Sequence, residues 1–169
     1  LGFEHTMIGS DGLPHDAAPH PRLWGTFPRV LGHYARGLKL FPLETAVYKM
    51  TGLTAKTFGL KDRGVLKEGN AADVVIFDEM QIGEGATFEK PVAPAKGIDT
   101  VIVNGEPVWR EGKPIGARPG RIPLPSGEVA IERPEATTIL GAAKVTAAAR
   151  MSSKVTLMVV SSAYATLLD

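Results

Sequence analysis

Between residues 7 and 22 the sequence reads MIGSDGLPHDAAPHPR. Asp11 stands between Ser10 and Gly12, and His15, Asp16, His20 and Arg22 follow closely. A carboxylate at the end of an apolar run can collect a proton and return it. Imidazole and carboxylate groups are good zinc ligands, and an arginine can match a substrate carboxylate through two parallel N–H donors. Each candidate has a plainer alternative. Ser-Asp-Gly is a common turn whose aspartate bonds to nearby backbone. Four residues between His15 and His20, in a proline-broken loop, fix no ligand geometry, so both are expected at the rim of a site rather than on a metal. Arg22 lies where a loop meets a helix, and exposed arginine is the ordinary case there. Arg29 is a weaker version of the same candidate.

The elements that would hold these groups can be read from spacing. Glu4–Ser10 is expected to be a short strand ending at the acid. Phe27–Leu40 is expected to be a helix, because Val30, Leu31, Tyr34 and Leu38 recur at helical spacing. Pro42 interrupts it, and Leu43–Thr51 forms a second helix with Glu44 in its first turn and Gly52 at its end. Thr54 is placed to cap a short third helix, Ala55–Phe58. Beyond Leu60 the pattern changes to short β-rich runs. Ala72–Phe77 is one strand, and Thr100–Val103 and Glu106–Arg110 flank Asn104-Gly105, a strong hairpin signal. A boundary is therefore expected near Gly59. Asp73 and Asp78 are expected as strand-end and turn residues, and Trp24 and Trp109 as packing residues. In the last forty residues, Thr138–Arg150 is expected to be an Ala-rich helix and Val155–Val160 a strand.

The composition narrows the function classes. With 19 Lys+Arg against 18 Asp+Glu, a net charge of +1 offers no field for nucleic acid or an anionic membrane. There is no cysteine, hence no thiolate nucleophile or thiolate metal ligand. That agrees with a cytoplasmic location, which is the expectation. Val155–Leu168 is the longest mostly apolar stretch and falls short of a membrane span.

MIGSDGLPHDAAPHPRLWGTFPRVLGHYAR resembles the last barrel strand, loop and helix of the D-aminoacylase family, the N-acyl-D-amino-acid deacylases of the amidohydrolase superfamily. LETAVYKMTGLTAKTFGLKDRGVLKEGNAADVVIFD and KGIDTVIVNGEPVWREGKPIGARPGR resemble the stretches that follow in that family. The resemblance covers roughly residues 1–121. It implies a zinc-dependent TIM-type barrel with a small β-sandwich beside it. It also implies that Asp11 takes a proton from metal-bound water and gives one to the leaving amine. Ser10, Gly12, His15 and Arg22 would then line the substrate side, with Arg22 facing the free carboxylate of an N-acyl-D-amino acid.

The family's metal ligands, an early His-x-His pair, a cysteine and later histidines, have no counterpart among His5, His15, His20 and His33. The expectation is therefore an α/β fragment of a larger protein, with the zinc ligands upstream. Residues 1–60 would be the end of the barrel and 61–128 a β-sandwich portion. Residues 129–169 would be a tail that does not pack with the rest. The expected activity is amide hydrolysis of a small-molecule N-acyl-D-amino acid, absent from the fragment alone. Two other readings stay open: a non-catalytic sandwich or scaffold module, and part of another amidohydrolase such as a cyclic-amide hydrolase.

Overall fold

The structure is a computed structural model. It describes residues 1–11, 18–124, 127–130, 144–152 and 155–161. Helices α1 (Arg22–Arg29), α2 (Leu43–Lys49) and α3 (Gly52–Thr57) come first, α1 running directly into a π-helical segment, Val30–Gly37. The strands follow: β1 (Val74–Phe77), β2 (Ile98–Val103), β3 (Glu106–Arg110), β4 (Lys113–Pro114), β5 (Arg121–Leu124), β6 (Gly127–Ala130), β7 (Lys144–Ser152) and β8 (Val155–Ser161). Six of them form an antiparallel sheet in the order β4-β3-β2-β1-β8-β7, and β5 pairs with β6 separately.

The expected strand Glu4–Ser10 is not formed. A strand exists by its ladder, and no described strand lies beside this segment. Its carbonyls find other donors. Phe3–Thr6 closes a turn with the Thr6 amide on the Phe3 carbonyl at 3.2 Å. The buried Lys49 ammonium donates to the Phe3 carbonyl and, at 3.1 Å, to that of Glu4. Ile8 alone reaches the core.

The helix expected over Phe27–Leu40 starts earlier, at Arg22, and changes its winding at Val30. Pro28 lies inside α1. It cannot donate, and its ring crowds the carbonyl four residues back. The helix beyond it is wound wider, shown by the Leu38 amide bonding the His33 carbonyl, five residues back, at 2.8 Å. Gly32 sits at the closest approach of this segment to the Glu79–Gly83 turn, where a Cβ would come within 2.4 Å of the Ile82 carbonyl oxygen. The Arg36 guanidinium fastens the same turn from the other side, donating to the carbonyls of Glu79 and Ile82 at 2.8 Å each. Helix α2 matches expectation. Helix α3 begins three residues early, at Gly52, so Thr54 lies within it instead of capping it. The Thr54 hydroxyl is turned back to the Lys49 carbonyl, at 3.4 Å.

One apolar cluster joins the helices to the sheet. Val30, Leu31, Ala46, Val47 and Met50 meet Val75, Phe77, Val101 and Val108, all buried. In β1 only alternate residues, Val75 and Phe77, are fully buried, as a strand with one covered face requires. β2 and β3 are joined through Asn104 (φ 47°) and Gly105 (φ 83°), both left-handed as a tight two-residue hairpin demands. The hairpin is fixed from below by a buried network. Arg63 and Asp73 form an ion pair with both side chains fully enclosed. Asp73 also accepts the Asn104 amide at 2.7 Å, and Arg63 donates to the Asn104 side-chain oxygen at 2.9 Å. Asp73, expected only as a strand-end residue, is the centre of this network. Asp78 is a turn residue as expected, accepting the Met80 amide at 2.8 Å.

Two expectations for the C-terminal residues are corrected. Residues 144–150, expected as part of a helix over Thr138–Arg150, lie in β7, and 138–143 fall outside the described residues. The segment expected not to pack contributes β8, which pairs with β1 from Val74↔Val159 to Phe77↔Thr156. The reason is the edge of β1. Its free N–H and C=O groups accept a β-rich stretch, and β7 in turn pairs along β8.

Candidate functional site

Asp11 and Arg22, which flank the proline-broken stretch of the sequence, lie side by side. Ile8 is buried and holds the start of the loop against the core, while Leu23 and Phe27, on the inner face of α1, hold its end. The Arg22 Nε donates to the Asp11 carbonyl at 2.8 Å, and an Arg22 terminal nitrogen lies 3.0 Å from the Asp11 carboxylate. Asp11 has a φ of 46°, in the left-handed region. Aspartate is one of the few residues that tolerates it, since its short polar chain can bond locally. The Asp11 side chain is 85% exposed and that of Arg22 46%. Ser10, next to Asp11, is half-buried. His20 accepts the Arg22 backbone amide on Nδ1 at 3.0 Å, and its ring meets Phe88 edge-on, with centroids 5.0 Å apart.

Gly12 and His15, with Asp16, lie outside the described residues. Arg29 is not available as a second carboxylate partner. It pairs with Glu84 and lies over the Tyr34 ring, 5.5 Å from its centroid. The hydrogen bond with Tyr34 is the largest influence and holds its pKa above the usual guanidinium value; burial, second in size, opposes it, and the charge of Glu84 and the hydrogen bond with it add to the rise. His5 stacks edge-on to Phe3 and His33 to Tyr34. A cavity lined by Leu31, Ala35, Arg36, Lys39, Phe41 and Leu43, with others, includes neither Asp11 nor Arg22.

Sequence reasoning found Asp11 and Arg22 but treated them as separate candidates. The two stand eleven positions apart in sequence with no helical or strand period linking them, so nothing local announces the pairing. The His20–Phe88 contact was missed for the same reason. Phe88 belongs to a Gly/Pro-rich stretch with no period to read.

The described donor set does not make a zinc site. Among the described residues no three His, Cys, Asp or Glu side chains come together in a way that could hold a metal ion. Of the three described histidines, His20 accepts a backbone amide on Nδ1, and His5 and His33 each lie edge-on to an aromatic ring. A carboxylate held beside a guanidinium, at the end of a loop and open to solvent, is suited to proton transfer and to carboxylate recognition.

Comparison with known proteins agrees with that chemistry. The amidohydrolase family model matches residues 4–109. A D-aminoacylase of Alcaligenes xylosoxydans xylosoxydans is 64% identical over 122 residues, 72% of this chain and 25% of its own length. The crystal structure of a D-aminoacylase superposes with a TM-score of 0.68 at 61% identity, over 69% of this chain and 24% of that one. The N-acyl-D-glutamate deacylase of Bordetella bronchiseptica, solved with zinc and a phosphonate inhibitor that mimics the tetrahedral intermediate, gives 0.60 at 51% identity. That match covers 64% of this chain and 24% of the deacylase. The chain thus spans about a quarter of the length of the relatives it matches. With a family model over most of its length and deacylases at this level of identity, the chain belongs to the amidohydrolase family, in its D-aminoacylase group.

Proposed function

We propose that this chain supplies the proton-transfer carboxylate and the carboxylate-recognition residue of a hydrolase that cleaves the amide of N-acyl-D-amino acids. The observation that carries the reading is the Asp11–Arg22 pair at the end of the loop. The solved relatives, a D-aminoacylase and an N-acyl-D-glutamate deacylase, add weight to it. Asp11 takes a proton from the attacking water and returns it to the departing amine. Arg22 meets the free carboxylate that every N-acyl amino acid carries, with a planar fork of donors. Ser10 and Gly12 flank the acid, and His15 and His20 make the rim polar.

The relative from Bordetella bronchiseptica binds zinc. Among the described residues no cluster could hold a metal ion, and in this reading the zinc ligands are supplied by sequence outside this chain. In the same reading residues 1–60 are the closing helical unit of a TIM-type barrel, 61–128 part of a β-sandwich, and 129–169 an addition to it. The substrate is a small molecule, the compartment the cytoplasm, and neither nucleic acid nor membrane is a partner. No described helix is long and apolar enough to cross a membrane.

The test is Asp11→Asn in the full-length protein that carries this segment. General acid–base groups contribute about 10²–10⁴-fold. Turnover should fall by at least that range while zinc content and melting temperature stay at wild-type values. Near-wild-type turnover would refute the assignment.

A further inference from the structure

The Asp11–Arg22 pair raises a question that the proposed roles leave open. While Nε and one terminal nitrogen of Arg22 hold Asp11, those donors cannot be given to a substrate carboxylate. The two contacts go to different parts of Asp11: Nε to the main-chain carbonyl at 2.8 Å, and a terminal nitrogen to the carboxylate at 3.0 Å. The first pins the backbone where φ is 46°, and the second engages the group that must move the proton. Meanwhile the Arg22 backbone is fixed independently, because it starts α1 and its amide bonds His20. The side chain can therefore swing without moving the helix.

We propose that Arg22 is a shared counter-ion. In the empty site it holds Asp11. The free carboxylate of the incoming substrate draws it off, and Asp11 is released for proton transfer when substrate is in place. This rests on the roles given to Asp11 and Arg22 above and adds the coupling between them. The exposures decide that exchange is feasible. With side chains 46% and 85% exposed, the pair is in the class of weak, water-screened ion pairs. Asp11 engages the guanidinium through its main-chain carbonyl and a single carboxylate oxygen, whereas a substrate carboxylate brings both charged oxygens to the fork, so it competes well. No covalent step is involved. One ion pair is broken and another is made.

The experiment measures equilibrium binding, not turnover. The ligand is a phosphonate analogue of an N-acyl-D-amino acid, used with its free carboxylate and as the carboxamide. The proteins are the full-length zinc-loaded wild type, Asp11→Asn, Arg22→Gln and the double variant. The quantity read is the affinity ratio of carboxylate to carboxamide ligand, which cancels effects of Asp11 on the phosphonate itself. If Asp11 competes for Arg22, removing its charge raises the ratio by about two- to fivefold, the strength of an exposed ion pair. Arg22→Gln brings the ratio close to one, and Asp11→Asn then changes it no further, as a double-mutant cycle requires of coupled residues. An unchanged ratio in Asp11→Asn would overturn the sharing. So would a wild-type ratio in Arg22→Gln. Should Arg22→Gln fail to fold, as judged by its melting temperature, Arg22→Lys takes its place. It keeps the charge but not the fork, and a ratio between those of wild type and one is expected. Turnover of Asp11→Asn on the amide substrate separates the two ideas. If it stays active, the proton-transfer role fails while the binding ratio still decides the sharing.

Discussion

Asp11 and His20 show how different two polar residues of one loop can be. Asp11 presents an open carboxylate, held by a side chain that has another possible partner. His20 spends Nδ1 on the Arg22 amide and its ring on Phe88, so its work is to hold the start of α1. A group that transfers the proton itself is worth about 10²–10⁴-fold, and a rim histidine is not such a group. His15→Ala and His20→Ala should each lower turnover of the full-length enzyme by about tenfold or less. Zinc analysis of the same preparations should show full metal content. A loss of metal in His15→Ala would place His15 on the metal and remove it from the rim. Asp11 was legible in sequence because an acid between small residues after an apolar run is a local pattern. Its bond to Arg22 was not, because no helical or strand period links the two.

Among the elements, the β2–β3 hairpin was legible to the residue, since Asn104-Gly105 can adopt the left-handed turn that few other pairs allow. What lies under it was not legible. Arg63 reaches Asp73 across ten residues of turns, and neither position looks buried in sequence. Removing one partner of a buried pair leaves a charge without compensation and costs about 3–5 kcal/mol. Asp73→Ala should therefore destabilise the chain by about that much in urea unfolding, and it also strips the Asn104 amide of its acceptor. A loss below about 1 kcal/mol, the value of an exposed pair, would show that the pair is open to water. The helices divide in the same way. Spacing gave α2, but not the change of winding after Pro28, because the recurrence of apolar residues does not report which carbonyl each amide bonds. Gly32→Ala puts a methyl group against the Ile82 carbonyl and should lower the melting temperature even though alanine is the better helix former. The expected strand at Glu4–Ser10 failed for a related reason. A strand pattern states what a segment can do, and the partner that would make it a strand is not among the described elements.

At the scale of the whole molecule, no group of described residues could hold a metal ion. Calorimetric titration of the 169-residue chain with zinc should show no stoichiometric submicromolar site, because no cysteine is present and no described cluster of ligands exists. The same preparation should not hydrolyse N-acetyl-D-amino acids. A tight single site would mean that residues outside those described complete one. The position of β8 beside β1 has a further consequence. Deleting residues 129–169 from the chain turns β1 into an edge, and open edges pair with other chains. Light scattering should then report dimers or larger species, whereas a monodisperse monomer would show that the edge is protected in another way. A ladder bonds main chain to main chain and takes little account of the side chains it carries. Tethering adds to the ladders on both sides of β8. Its effective concentration at β1 is high because the two strands share one polypeptide. A single protease cut between β6 and β7 would change no contact in the sheet. It would still convert a unimolecular docking into a bimolecular one, and dilution alone would then empty the position.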